Sequence, residues 1–295
     1  MRKWFRGSWS SAQRLEGKTV LITGANTGIG KETAIDLAKR GARVIMACRS
    51  QERGEAAVKE VIEGSQNQEV VYMQLDLADS KSIRVFAEAV NRDEPRLNIL
   101  LNNAGVMVCP YGKTADGFEM QIGVNHMGHF LLTYLLLDLI KKSAPARIIN
   151  VSSLAHTWGS INLDDINSEK SYDKRAAYSQ SKLANVLFTR SLAKRLEDTG
   201  VTTYALHPGV VKTDLWRHLS GPQQVVMKMV SPFTKNSTQG AQTSIYCAVE
   251  PSLDKESGGY YSDCAPANCS AAGKDDVLAQ KLWELSCELL SVTWD

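Results

Sequence analysis

Short runs of consecutive apolar residues alternate along the chain with longer segments in which apolar side chains return every three or four positions. Runs such as Thr19-Val20-Leu21-Ile22 have no alternating polar face, which suits strands covered on both sides. The pattern predicts strands over 19–23, 43–47, 70–75, 98–101, 147–151, 202–206 and 259–262. Between them it predicts helices over 29–40, 51–63, 80–91, 124–142, 175–198, 240–250 and 276–290. Strands and helices taking turns in this way build a parallel sheet with helices on both faces, so the expected fold class is α/β and doubly wound.

After Pro208 the pattern loosens. Residues 213–238 contain Trp216, Val225, Val226, Met227, Met229, Val230 and Phe233, interrupted by Pro222 and Pro232. This stretch is expected to be a flap over an apolar substrate, with Trp216 as a contact; an amphipathic packing helix is the other reading. The 295 residues, 43% hydrophobic, suffice for one large core, so 17–295 are expected to form one domain behind a basic aromatic tail, 1–16. A net charge of +2 with dispersed Lys and Arg gives no nucleic-acid footprint. Six cysteines form no Cys-x-x-Cys pair and no ligand spacing with the five histidines, so reduced thiols and no metal are expected. No run reaches the roughly 18 to 20 apolar residues that span a bilayer. The start, Met1-Arg2-Lys3-Trp4-Phe5-Arg6-Gly7, mixes cations with two large aromatics, which suits a membrane interface as well as a frayed tail.

Tyr178 and Lys182 stand four residues apart in a predicted helix, side by side on one face. A neighbouring cation favours the phenolate and draws a pKa of about 10 toward the working range of a proton-transfer group. Alone, the pair is equally a solvated lysine beside a half-buried tyrosine. Thr23-Gly24-Ala25-Asn26-Thr27-Gly28-Ile29-Gly30 adds a glycine turn between the first strand and first helix, where free N–H groups and the helix dipole attract a pyrophosphate. The fold class therefore narrows to a Rossmann-type sheet, with Gly-x-x-x-Gly-x-Gly spacing in place of Gly-x-Gly-x-x-Gly. After the second strand, where an NAD enzyme places an acid for the ribose hydroxyls, the chain has Ala47-Cys48-Arg49-Ser50. Arg49 suits a 2′-phosphate, so NADP(H) is the expected cofactor.

With Asn102-Asn103-Ala104-Gly105 after the fourth strand and Ser152-Ser153 after the fifth, the chain resembles the short-chain dehydrogenase/reductase superfamily over 17–261. Lys113-Thr114-Ala115-Asp116-Gly117-Phe118-Glu119, Asn125-His126-Met127-Gly128-His129-Phe130 and His207-Pro208-Gly209-Val210-Val211 are similar to the photoreceptor type of its retinol dehydrogenases. The resemblance implies Tyr178 as acid/base, Lys182 as its activator and a ribose ligand, and Asn125 as anchor of a proton-relay water. It implies Ser153 as the carbonyl's hydrogen-bond partner, taken over Ser152 as the second of the pair. Gly24, Asn26, Thr27, Gly28, Ile29 and Gly30 would hold the pyrophosphate, Asp76 and Leu77 the adenine side. Asn103, Ala104 and Gly105 would give backbone contacts, and Pro208, Gly209, Val211 and Thr213 would hold the nicotinamide.

The expected activity is NADP-dependent interconversion of retinal and retinol, with reduction favoured. A broad reductase of lipid aldehydes or steroid ketones is the second reading, and a non-catalytic NADP-binding sensor the third. The similar retinol dehydrogenases begin with an apolar membrane anchor, and this chain starts after its place. The expected location is therefore the cytosolic face of the endoplasmic reticulum, bound peripherally, with the cytosol as alternative.

Overall fold

The computed structural model describes residues 9–211 and 234–294. Its sheet comprises β1 (Thr19–Thr23), β2 (Arg43–Cys48), β3 (Val70–Gln74), β4 (Ile99–Asn102), β5 (Ala146–Val151), β6 (Val201–His207), β7 (Gly259–Ser262) and β8 (Ala265–Pro266). The spatial order is β3-β2-β1-β4-β5-β6-β7-β8. Every pairing from β3 to β7 is parallel, whereas β8 runs antiparallel to β7. The order reverses between β1 and β4, and such a reversal opens a crevice at the carboxyl ends of the strands. All residues of β1, β4 and β5 are buried, as unbroken apolar runs require.

Helices α1 (Gly28–Lys39) and α2 (Gln51–Ser65) cover one face with α7 (Ser237–Val249). Ala34, Leu37, Val61, Ala241 and Ile245 pack there with Val20 and Leu101. The other face carries α3 (Ser80–Asp93), α5 (Gly128–Lys142), α6 (Lys174–Arg195) and α8 (Asp276–Leu290), which bury Phe86, Leu136, Leu187 and Trp283 against Leu21 and Leu100. Local chemistry fixes the helix starts. The Asp173 side chain accepts from Arg175 and Ala176 N–H to begin α6, and Asn236 with Gln239 forms a capping box for α7. Arg147 at the start of β5 donates to the Cys247 and Glu250 carbonyls at 2.8 and 2.7 Å, tying the sheet to the end of α7.

The expected continuous helix over 124–142 is broken. A short α4 (Met120–Ile122) runs into a π-helical turn, Gly123–Met127, before α5 begins. Glycine permits the crowding on both sides of the turn: a Cβ at Gly123 would lie 2.4 Å from Thr114 Cγ2, and one at Gly128 2.6 Å from the Leu77 carbonyl oxygen. Among the described residues no helix is long and apolar enough to cross a membrane. Thr213, Trp216, most of the expected flap and the basic aromatic start lie outside the described residues.

Candidate active site

Tyr178 and Lys182 lie near the start of α6 and are both buried, with Lys182 Nζ 5.8 Å from the centre of the Tyr178 ring. Lys182 Nζ donates to the Val151 carbonyl at 3.1 Å, where β5 ends, and Asn185 donates to the same oxygen at 3.1 Å. Burial pushes the Tyr178 phenol up to about 12, against a weaker downward pull from its hydrogen bond with Ser153. Burial also draws Lys182 down to about 8. Spacing alone predicts a phenol lowered by its lysine; removal from water outweighs that attraction here and moves both groups toward their neutral forms.

The two serines separate cleanly. Ser152 Oγ donates to the Lys182 carbonyl at 2.7 Å, inside the joint between β5 and α6. Ser153 is the one that reaches Tyr178, and its Oγ also accepts from Ala155 N–H at 3.2 Å. The Ser153 carbonyl is held by His156 Nδ1 at 2.7 Å, while His156 Nε2 accepts from Ser270 N–H at 3.1 Å. Asn125 sits in the π-helical turn with both amide hydrogens engaged: Nδ2 donates to the Val106 carbonyl and Ser181 Oγ, each at 2.9 Å, and Oδ1 accepts from Val106 N–H at 2.8 Å. The side chain therefore clamps the segment after β4 to α6, and the Asn125 main-chain carbonyl meets His129 Nδ1 at 3.1 Å.

The glycine turn closes against the end of β4. Gly24 has φ +66°, and a Cβ there would lie 2.9 Å from Ala104 Cα; one at Gly30 would lie 2.5 Å from the Gly24 carbonyl oxygen. Gly105 continues the wall, since a Cβ would come within 3.0 Å of Asn125 Oδ1 and 3.6 Å of Lys182 Nζ. The first N–H groups of α1, from Gly28, Ile29 and Gly30, have no acceptor within their own helix. Thr27 is exposed and Asn26 half-buried in the same turn. Exposed Arg49 follows β2 and joins none of the ion pairs found among the described residues. Asp76 Oδ1 accepts from Ala78 N–H at 3.0 Å and so shapes the turn after β3 that carries Leu77. Beyond β6, Lys235 Nζ reaches the Pro208 carbonyl at 3.3 Å and Gly209 takes φ +95°. A Cβ at Gly240 would meet Val211 at 2.6 Å and Ile29 at 3.2 Å, which brings the Pro208–Val211 segment onto the start of α1. A dinucleotide fits this arrangement: glycine-lined backbone and helix N–H groups for the pyrophosphate, a cation at the end of β2, and a polar cluster at the far side of the crevice.

The family model for short chain dehydrogenases matches residues 18–224. The chain belongs to that family. Retinol dehydrogenase 12 of Homo sapiens is 55% identical over 100% of this chain and 93% of its own length. Retinol dehydrogenase 11 of Homo sapiens is 53% identical over 98% of this chain and 91% of its own. A solved structure titled as a putative uncharacterized protein from Mycobacterium Paratuberculosis superposes with a TM-score of 0.78 at 37% identity, covering 96% of each chain. The Pseudomonas aeruginosa RhlG/NADP active-site complex superposes at 0.68 with 25% identity, over 84% of this chain and 94% of that one. As a short-chain dehydrogenase the chain is an oxidoreductase of a nicotinamide cofactor, and its crevice is the place such a cofactor fits.

Sequence reasoning passed over three members of this dehydrogenase site. Thr23 Oγ1 accepts from Asn103 and Ala104 N–H, both at 2.9 Å, and pairs with His129 Nε2 at 2.8 Å. His129 in turn meets Asn125 through the spacing Asn-x-x-x-His, a signal available in the sequence. His207 Nδ1 accepts from Leu154 N–H at 3.1 Å beside Ser153.

Proposed function

We propose that the chain is an NADP(H)-dependent oxidoreductase that reduces retinal to retinol, with Tyr178 as the proton donor. The observation that carries the reading is the buried Tyr178 phenol with Lys182 on the same helix face and Ser153 close enough to act on its titration. A phenol protonated at neutral pH is the form a general acid needs as a carbonyl oxygen gains charge; in this reading reduction is favoured where the NADPH pool is kept reduced. Ser153 gives that oxygen a second hydrogen bond. A nicotinamide held in the glycine-lined crevice would supply the hydride. Lys182 spends one of its three donors on Val151, leaving two for the ribose hydroxyls and for easing proton loss from Tyr178. Asn125 anchors, through its carbonyl, the water that returns the proton.

Exposed and unpaired among the described residues, Arg49 supports NADP(H) over NAD(H), and the NADP complex of a solved relative agrees with it. Gly24, Asn26, Thr27, Gly28, Ile29, Gly30, Asp76, Leu77, Asn103, Ala104, Gly105, Pro208, Gly209, Val211 and Thr213 complete the cofactor contacts in this reading. The retinol dehydrogenase names of relatives above 50% identity support a retinoid, and exposed apolar Leu154, Trp158 and Val210, close in the chain to Ser153 and Gly209, suit one. Trp216, outside the described residues, is the further apolar contact this reading calls for. A substrate that partitions into lipid and a basic aromatic start together support peripheral residence on the cytosolic face of the endoplasmic reticulum.

The test is turnover of NADPH with retinal, a medium-chain aldehyde and a steroid ketone. Tyr178→Phe is expected to cost on the order of a hundred- to ten-thousandfold in kcat while NADPH binding persists. Retinal reduction at wild-type rate by the Phe variant overturns the mechanism; a preference for the steroid ketone reassigns the substrate.

A further inference from the structure

His129 is buried at the head of α5, and both its ring nitrogens are engaged. Nδ1 lies 3.1 Å from the Asn125 main-chain oxygen, and a carbonyl can only accept, so Nδ1 carries the proton and donates. Nε2 is then an acceptor, and the hydrogen it receives at 2.8 Å is that of the Thr23 hydroxyl. The hydroxyl's one hydrogen goes to His129 at 2.8 Å rather than to the Leu101 carbonyl at 3.4 Å, and its lone pairs take Asn103 and Ala104 N–H. Desolvation, with a weaker push from the Lys182 charge, holds the imidazole down to about 4, so at neutral pH this one tautomer satisfies every link. The result is an unbroken chain of hydrogen bonds from the turn after β4, through the end of β1, to the carbonyl of Asn125. It crosses the sheet reversal that makes the crevice.

We infer that His129 is a positioning residue: it fixes the Asn125 carbonyl in the π-helical turn and locks that carbonyl to the turn that borders the dinucleotide. The inference rests on the reading that Asn125 serves proton return to Tyr178. Because the Asn125 side chain is consumed by Val106 and Ser181, the carbonyl is the group whose aim matters, and His129 is the side chain that grips it.

Two near-isosteres separate the two ends of the imidazole. Asn places an amide N–H where Nδ1 was, and Gln reaches the place of Nε2. In the full chain assayed with NADPH and retinal, His129→Gln is expected to lower kcat by about ten- to a hundredfold with the KM for NADPH within about threefold. His129→Asn restores most of kcat at a comparable melting temperature. From the other side, Thr23→Val is expected to lower kcat and raise the NADPH KM together, while Thr23→Ser leaves both near wild type, which decides the matter should the histidine variants fold poorly. Equal kcat in the Gln and Asn variants, or Thr23→Val indistinguishable from Thr23→Ser, overturns the inference. Tyr178→Phe run alongside tells the failures apart: an inactive Phe variant with wild-type His129→Gln sinks this inference alone, and an active Phe variant sinks the proposed mechanism with it.

Discussion

The proposed mechanism asks of Lys182 a charge that its burial opposes. There the ammonium stays charged to help Tyr178, yet its surroundings draw its pKa from 10.5 to about 8. Below about 8 the lysine is protonated; above, it is neutral. The kcat/KM for carbonyl reduction is therefore expected to be level up to about pH 8 and then to fall by about tenfold per unit, as the pH profile would show. A level profile through pH 10 would remove the charged lysine from the mechanism. The same shift acts on stability with the opposite sign. Between about 8 and 10.5 the unfolded chain binds more protons at this site than the native one, so this group's contribution to stability rises with pH there. Spacing placed Tyr178 and Lys182 on one helix face and Ser153 just after a strand, because helix periodicity and strand ends are local facts. It could not give the direction of the tyrosine's shift, which depends on everything that excludes water from α6. Nor did it reveal His129, since a histidine four places from an asparagine in an apolar helix reads as core until its partners are known.

At the scale of elements, the strand boundaries read from the pattern agree with the observed ones to within a residue, and β1 agrees at both ends. Unbroken apolar runs bounded by polar turns make such edges plain. The π-helical turn was not legible, because it arises where Gly123 and Gly128 let Thr114 and Leu77 press in, a contact between distant segments. The antiparallel β8 was missed for its two-residue length. The turn between β2 and α2 carries the cofactor argument: Ser50 caps α2 by accepting from Arg53 N–H at 3.4 Å, leaving Arg49 exposed at the strand end. NADPH is expected to be preferred over NADH, and Arg49→Asp to invert that order by replacing a charge-assisted phosphate contact with repulsion. Steady-state kcat/KM for both cofactors checks this; equal efficiency in the unmodified chain would count against Arg49 as the discriminating residue.

For the molecule as a whole, fold class could be read from alternation of strands and helices, whereas the position of the sheet reversal could not, since each strand carries the same apolar signature. Membrane residence belongs to this scale as well. In the proposed reading, three cations and two aromatics in the first six residues, at roughly 1 kcal/mol per cation near an anionic surface, would give weak and screenable binding. High salt is expected to release much of the protein from microsomes, and Trp4→Ser with Phe5→Ser to shift it into the soluble fraction. Resistance to both salt and alkaline carbonate would overturn peripheral binding, and a wholly soluble protein at low salt would leave the start as a tail. The sheet order also governs how the chain can be made. A ribosome delivers β1 long before its neighbour β4, and α1, which bears the glycine turn, is covered by an α7 that begins only at Ser237. Arg147 likewise waits for acceptors at Cys247 and Glu250. The cofactor half of a nascent chain thus keeps an uncovered apolar flank until nearly the whole sequence has emerged, which makes a late arrest in synthesis as damaging as an early one.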